Sequence, residues 1–308
     1  MTEMMSAVRV YDYGDPSVLK LEQVERPAPG AGQVLIRLQA AGVNPADWKY
    51  RSGAYKTFMP LKFPWTPGLE GAGVIAAVGE GVTSFRPGQE VYGPLLASYA
   101  EYALADAKDI QPKPRGVTLE EAATLPIGAL TAWAAVVDTA NVAAGQRVLV
   151  HGAAGGVGGY AVQLARWKGA HVSGTASAAN IESVRSLGAE AAIDYGSTPF
   201  ETVVHDFDAV IDTVGGDLIL RSLKVLRRGG IYVTVTGRVP DDAGKAEGVR
   251  ALGVGRAVNE RLRDISELVE THQVRPTVGA VFALGQARQA HELSQTGHGR
   301  GRILLRMP

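Results

Sequence analysis

The segment RVLVHG (147–152) runs straight into the glycine cluster HGAAGGVGG (151–159), and that cluster into VGGYAVQLARWKG (157–169). The first is a short apolar run of the buried-strand type. The last places Val157, Ala161, Leu164 and Ala165 on one helical face, with Gly169 as its stop. A strand, a glycine-rich turn and a helix in direct succession leave few folds open. Ala153, Gly155 and Gly158 fall on the three positions of the G-x-G-x-x-G dinucleotide fingerprint, the first changed to alanine. The first position makes the tight turn, the second lets a pyrophosphate reach the backbone, and the third lets helix and strand pack closely. The helix N-terminus adds free N–H groups and a partial positive charge. Further on, HVSGT (171–175), AAID (191–194), DAVIDT (208–213) and IYVTVTG (231–237) read as strands. Between them lie a short helix capped by Asn180, carrying Ile181, Val184 and Leu187 and stopped by Gly188, and a helix over DLILRSLKVLRRGG (217–230). Such alternation demands a parallel sheet with helices on both faces.

The cradle for a dinucleotide is then Gly152, Ala153, Ala154, Gly155, Gly156, Val157 and Gly158. An acid at the end of the second strand would bind a ribose 2′-hydroxyl and repel a 2′-phosphate. That place reads GTASAAN (174–180), without an acid. Thr175, Ser177 and Asn180, with Tyr195 from the next strand end, offer polar groups instead, so the expected cofactor is NADPH. Helix capping is a second reading of Ser177 and Asn180, and it is compatible with phosphate binding.

The flanks have a different rhythm. VLIRLQAAGV (34–43), AGVIAAVG (72–79) and EVYG (90–93) are short, apolar and bounded by Gly or Pro, as strands of a small barrel are. VRPTVGAVFAL (274–284), a helix near 285–296 and GRILLRM (301–307) return to mixed β structure. A β-rich beginning and end around a βαβ series suggest one domain interrupted by another. The boundaries read as 1–121 for the first part of the β-rich domain, 122–264 for the nucleotide-binding domain, and 265–308 for the return. Lys+Arg and Asp+Glu both number 31, so no global field draws the chain to nucleic acid or an anionic membrane. The basic stretch between Gly237 and Asp264 is interleaved with acids and reads as a solvated surface or subunit edge. No apolar run approaches the roughly 18 residues of a membrane helix, and no secretion signal opens the chain, so a cytoplasmic location is expected. There is no cysteine, which removes disulfides, thiolate nucleophiles and sulfur-based zinc sites.

GVNPADWKYRSGAY (42–55), PGLEGAGVIAAVGEGV (67–82), the AAGGVG turn, DTVGG (212–216) and HGRGRILLR (298–306) together resemble a medium-chain dehydrogenase/reductase, and within it the zinc-free quinone oxidoreductase branch. The resemblance covers essentially the whole chain. It implies a GroES-like β-rich catalytic domain plus a Rossmann domain with a doubly wound parallel sheet. Zinc-dependent alcohol dehydrogenases of this superfamily carry Gly-His-Glu where this chain reads Gly68-Leu69-Glu70, and a cysteine ligand where it has Asn44. The six histidines lie outside both motifs and mostly look like surface or strand-end residues, so no metal site is expected. Without a Lewis acid to polarise an alcohol, the chemistry left is hydride delivery to an electrophilic acceptor: a quinone or the β-carbon of an activated double bond.

The resemblance also places Asn44, Asp47, Lys49 and Tyr55 near the substrate. Asn44 has an amide donor for a developing oxyanion, and Tyr55 a phenol to orient a carbonyl or relay a proton. Lys49 stands where many relatives have tyrosine. Asp47 reads equally as a structural turn residue. Thr131 and Leu130 in LPIGALTAW (125–133), together with Val214, Gly237 and Val254, are implied to border the nicotinamide half of the cofactor. Arg300 or Arg302 is read as reaching toward the cofactor or as a surface residue. The leading reading is an NADPH-dependent, zinc-independent reductase of a small-molecule quinone or enone. A tailoring reductase for one metabolite and a non-catalytic NADPH-binding sensor or structural protein stand beside it. A homodimer is implied, joined edge to edge through strands near 231–236 and 249–254.

Overall fold

The computed structural model describes residues 3–308. An antiparallel hairpin opens it, β1 (Met4–Arg9) against β2 (Lys20–Glu25). β3 (Gln33–Val43) follows, an eleven-residue strand whose Val34, Leu35 and Ile36 are all buried. Neighbouring residues of a strand point to opposite faces, so such a run needs cover on both sides. Next come α1 (Pro45–Arg51), β4 (Glu70–Val78), β5 (Glu90–Pro94), β6 (Tyr102–Asp106) and the short β7 (Gln111–Pro112). β4 and β6 both pair antiparallel with β3, which makes β3 the hub of a seven-stranded sheet. The helices α2 (Leu119–Ala122) and α3 (Pro126–Trp133) then lead out of this sheet, and α3 runs on as a π-helix over Ala134–Thr139.

The second sheet begins with β8 (Arg147–His151), followed by α4 (Gly158–Trp167), β9 (His171–Ala176), α5 (Ile181–Ser186), β10 (Ala191–Asp194), β11 (Phe207–Asp212), α6 (Leu218–Leu223), β12 (Leu226–Thr234) and β13 (Arg250–Gly253). All its ladders are parallel, in the order β10-β9-β8-β11-β12-β13. That is the 3-2-1-4-5-6 order of the doubly wound dinucleotide fold, with the switch point between β8 and β11. Val148, Leu149 and Val150 are all buried, as a parallel strand covered on both faces requires. β12 has a neighbour on each side, so the edges of this sheet are β10 and β13.

One expected element is corrected. The helix read over 217–230 ends at Leu223, and LRRGG belongs to β12. β12 pairs Phe207 with Leu226 and then Ala209 with Ile231, a register shift that absorbs the extra residues. Gly229, at φ +79°, supplies the left-handed turn of that irregularity. Arg227 is tied to Asp208 on β11, which holds the extension to the sheet.

The chain then passes through α7 (Arg261–Glu270), β14 (Val278–Ala283), α8 (Ala287–Gln295) and β15 (Arg302–Arg306). β15 pairs antiparallel with β3 and parallel with β14, so the last strands complete the first sheet. Two compact units result: 1–127 with 262–270 and 276–308, and 128–261 with 271–275.

Candidate active site

In the second unit the chemistry gathers where β8 ends. Gly152 takes φ +67° and turns the chain, so the left-handed residue lies one place before the alanine expected to make the turn. Ala153 is buried beneath it. Gly155 N–H closes the turn on the Gly152 carbonyl at 2.9 Å. A Cβ on Gly158 would overlap that same carbonyl oxygen, so only glycine lets α4 start this close to β8. A Cβ on Gly155 would meet just one atom, Gly152 O at 3.2 Å, with open space around it. One glycine therefore serves packing and the other keeps a cradle open. A dinucleotide pyrophosphate fits there, against the N-terminus of a ten-residue helix.

The other expected contacts surround this turn. Gly128 of α3 lies against it, its Cβ position 2.9 Å from Gly156 O, and Thr131 is half-buried one helical turn further on. Val214 follows β11 and is 57% exposed, with its Cγ2 3.0 Å from the Cβ position of Gly152. Gly237 and Val254 follow β12 and β13, and Val254 N–H donates to Thr234 O at 2.8 Å. At the end of β9, Asn180 donates its amide to Ser177 Oγ at 3.0 Å. Ser177 and Asn180 both occupy N-cap positions, but neither side chain makes the capping hydrogen bond. Register puts Asp194 beside Ala176, hence Tyr195 beside Ser177, and Tyr195 is 52% exposed. Asp194 itself is spent on the Gly196 N–H and Ser197 hydroxyl of its own turn.

Beneath the turn lies a group that the sequence reading missed. His151 is buried, with Nδ1 3.1 Å from Thr175 Oγ1 and Nε2 3.0 Å from Ser222 Oγ. Burial pushes it down to about 4, so it is neutral. Thr175 is thereby fixed as a floor residue, joining β9 to β8 under the cradle.

In the first unit the site is a buried polar knot. Asn44 caps α1, and its N–H donates to Asp47 Oδ2 at 2.8 Å. Its side-chain amide donates to Glu70 Oε1 at 2.8 Å, and its carbonyl accepts from Arg302 at 2.7 Å. Arg302 also pairs directly with Glu70, whose Oε2 accepts the Ile127 N–H at 2.7 Å. The knot presses on β3: a Cβ on Gly42 would overlap the Glu70 carboxylate. This corrects two expectations. Asn44 is enclosed, and one of its two amide hydrogens is committed to Glu70. Arg302 is buried against Asn44 and Glu70 and is no surface residue, whereas Arg300 is exposed.

The knot continues through Tyr99, whose hydroxyl donates to Asp47 Oδ2 at 3.2 Å and lies 3.1 Å from His291 Nε2. His291 therefore carries its proton on Nε2, which leaves Nδ1 bare and without a partner. Burial, with Arg51 adding, pushes His291 down to about 3. His151 and His291 are thus both interior residues: His151 is a strand-end residue, as the end of β8, and His291 lies on a buried helical face. Signals were present: Glu70 opens an apolar strand, and His291 shares the buried face of α8 with Ala287 and Ala290.

Asp47 is fully buried, and burial pushes its carboxyl up to about 7, with Glu70 adding to the rise. Its pKa is higher folded than unfolded, so the fold prefers its protonated form. Stability from this group is greatest below pH 4 and declines as pH rises to about 7, by about 4 kcal/mol in all. Asp47→Asn, which keeps an acceptor for the Asn44 N–H, removes that decline. Urea unfolding from pH 5 to 8 reads it as a variant advantage that grows with pH; a pH-independent difference would refute the assignment.

Around α1 lie the remaining expected residues. Lys49 Nζ stands 5.5 Å over the Trp48 ring. Tyr55 packs edge-on against Tyr50 at 5.2 Å and beside Phe58 at 5.1 Å. Its hydroxyl has no protein partner among the described residues. The structure thus joins Asn44 to Asp47 in the knot and leaves Tyr55 and Lys49 outside it.

The zinc-binding dehydrogenase family model matches residues 187–305, and the alcohol dehydrogenase GroES-like domain model matches 30–144. Quinone oxidoreductase of Mus musculus is 35% identical, over 98% of this chain and 98% of that protein. The chain belongs to the quinone oxidoreductase-like branch of the medium-chain dehydrogenase/reductase superfamily. The NADPH-dependent alkenal/one oxidoreductase of Arabidopsis thaliana chloroplasts is 34% identical over 96% of this chain and 77% of that protein. Among solved structures, the quinone oxidoreductase from Coxiella burnetii superposes with a TM-score of 0.89, at 33% identity over 99% of this chain and 100% of the other. This member of the branch is an oxidoreductase with a GroES-like domain and a Rossmann-like parallel sheet, a nicotinamide cofactor and a small-molecule substrate. No helix among the described residues is long and apolar enough to cross a membrane.

Proposed function

We propose that the enzyme is an NADPH-dependent, zinc-independent reductase of quinones or α,β-unsaturated carbonyls. The observation that carries this is the Asn44–Glu70–Arg302 knot. A divalent cation beside Asn44 would meet a guanidinium already paired with the carboxylate bonded to that amide. Leu69 offers no ligand atom. The acceptor must then be electrophilic without metal assistance. The names of the mouse and Arabidopsis relatives support quinones and enones as its class.

When bound, a nicotinamide supplies the hydride. Gly152 to Gly158 hold the pyrophosphate, and Thr131, Val214, Gly237 and Val254 border the nicotinamide half. Ser177, Asn180 and Tyr195 supply hydroxyl and amide groups for a 2′-phosphate, where no free carboxylate opposes it. Tyr55 supplies the free phenol, the donor to an oxygen that gains charge. Lys49 adds positive charge nearby. A second copy adds its strand at the free edge of β13, giving a homodimer.

The test is absorbance at 340 nm with chelator-treated enzyme, NADPH or NADH, and either a 1,4-quinone or an enone. The expected result is chelation-resistant NADPH loss, with NADPH preferred over NADH. Tyr55→Phe is expected to slow enone reduction by about tenfold or more. Sedimentation velocity on the same sample reads the dimer. Activity lost to the chelator and restored by zinc would overturn the proposal.

A further inference from the structure

A second cavity in the nucleotide-binding unit has no part in the chemistry above. It has a volume of about 750 Å³ and lies at the far end of α4, between that helix, the end of α5 and the 272–275 segment. Arg166, Arg185, Arg275 and His272 line it, and no acidic side chain does. Three guanidiniums converging on one cavity repel one another unless something neutralises them.

Their positions are built. Gln163 is buried, and both ends of its amide hold the backbone of Arg275: Oε1 accepts from its N–H at 2.7 Å and Nε2 donates to its carbonyl at 3.2 Å. The Arg275 guanidinium is aimed by Ser186 O at 2.9 Å. Arg166 lies across Gly188, reaching its carbonyl at 3.5 Å. Gly188 has φ +107°, and a Cβ there would overlap the Arg166 side chain. Carbonyls orient these two guanidiniums but do not neutralise them. Neither has a carboxylate partner among the described residues. Arg185 does, Glu182 at 2.6 Å. Two guanidiniums without a carboxylate partner among the described residues thus border a polar cavity.

We infer that this cavity is a binding site for a small polyphosphate anion, separate from the dinucleotide cradle. Guanidinium forks match phosphate oxygens bidentately, and two of them match two phosphate groups. The cradle sits at the N-terminus of α4 and the cavity at its last turn, roughly 14 Å away by helical rise.

Calorimetry with sodium pyrophosphate tests the site, on wild type and on Arg166→Gln/Arg275→Gln, at low ionic strength and again at about 0.15 M salt. The expected result is salt-sensitive wild-type binding that weakens about tenfold or more in the double variant, with melting temperatures matched. Arg166→Gln alone leaves the Arg275 tie in place and weakens binding in the same direction. Saturating dinucleotide leaves the wild-type isotherm unchanged. ADP in place of pyrophosphate, with saturating dinucleotide filling the cradle, separates the sources: tighter binding marks a nucleotide, equal binding the phosphates alone. Equal pyrophosphate affinity in wild type and both variants, no wild-type binding, or displacement by dinucleotide would overturn the inference.

Discussion

Arg302→Leu is expected to destabilise the β-rich unit by about 3–5 kcal/mol, the usual result of leaving one half of a buried ion pair behind. Both side chains are nearly inaccessible, 5% for Arg302 and 0% for Glu70, so water cannot take over. The remaining Glu70 carboxylate would keep only the Asn44 amide and the Ile127 N–H. Glu70→Gln in the same background removes the stranded charge and is expected to recover most of the loss. The measurement is urea unfolding followed on the β-rich unit, since two units need not unfold in one transition. A loss below about 1 kcal/mol in the single variant would show that the pair is solvated in solution.

The second large effect separates two glycines of one turn. Gly155→Val should leave the melting temperature nearly unchanged, because its Cβ meets only one backbone atom. It should abolish dinucleotide binding, since the side chain fills the cradle. Gly158→Ala should do the reverse in kind, unsettling the turn itself through overlap with Gly152 O. Fluorescence titration with NADPH, paired with thermal melts, reads both. Wild-type NADPH affinity in Gly155→Val would refute the assignment of the turn.

The legible part of this chain is the local part. The β8–turn–α4 unit spans about twenty residues, and its hydrophobic periods and glycines are read without knowing anything else. The β-rich flanks were legible as strands for the same reason. Asn44 was legible as a residue of interest but not as a knot member, because Arg302 lies 258 residues further on. The burial of His151, at the end of β8, and of His291 was not legible. A buried histidine betrays itself only through partners such as Ser222 and Tyr99, which other elements bring. Residues 224–230 were read as the end of a helix stopped by Gly229 and Gly230. The register shift against β11 overrides that local preference.

The interrupted layout has a consequence for biosynthesis. Asn44 and Glu70 leave the ribosome early, but Arg302 is 232 residues behind Glu70. At bacterial or eukaryotic elongation rates that interval is on the order of 10–50 s. The dinucleotide-binding unit is nearly continuous in sequence and can collapse within it, while β3 still lacks β15 and Glu70 lacks its counter-charge. The nascent β-rich half therefore waits with β3 incompletely paired until the last strand arrives, and the ion pair is the latch that closes only then.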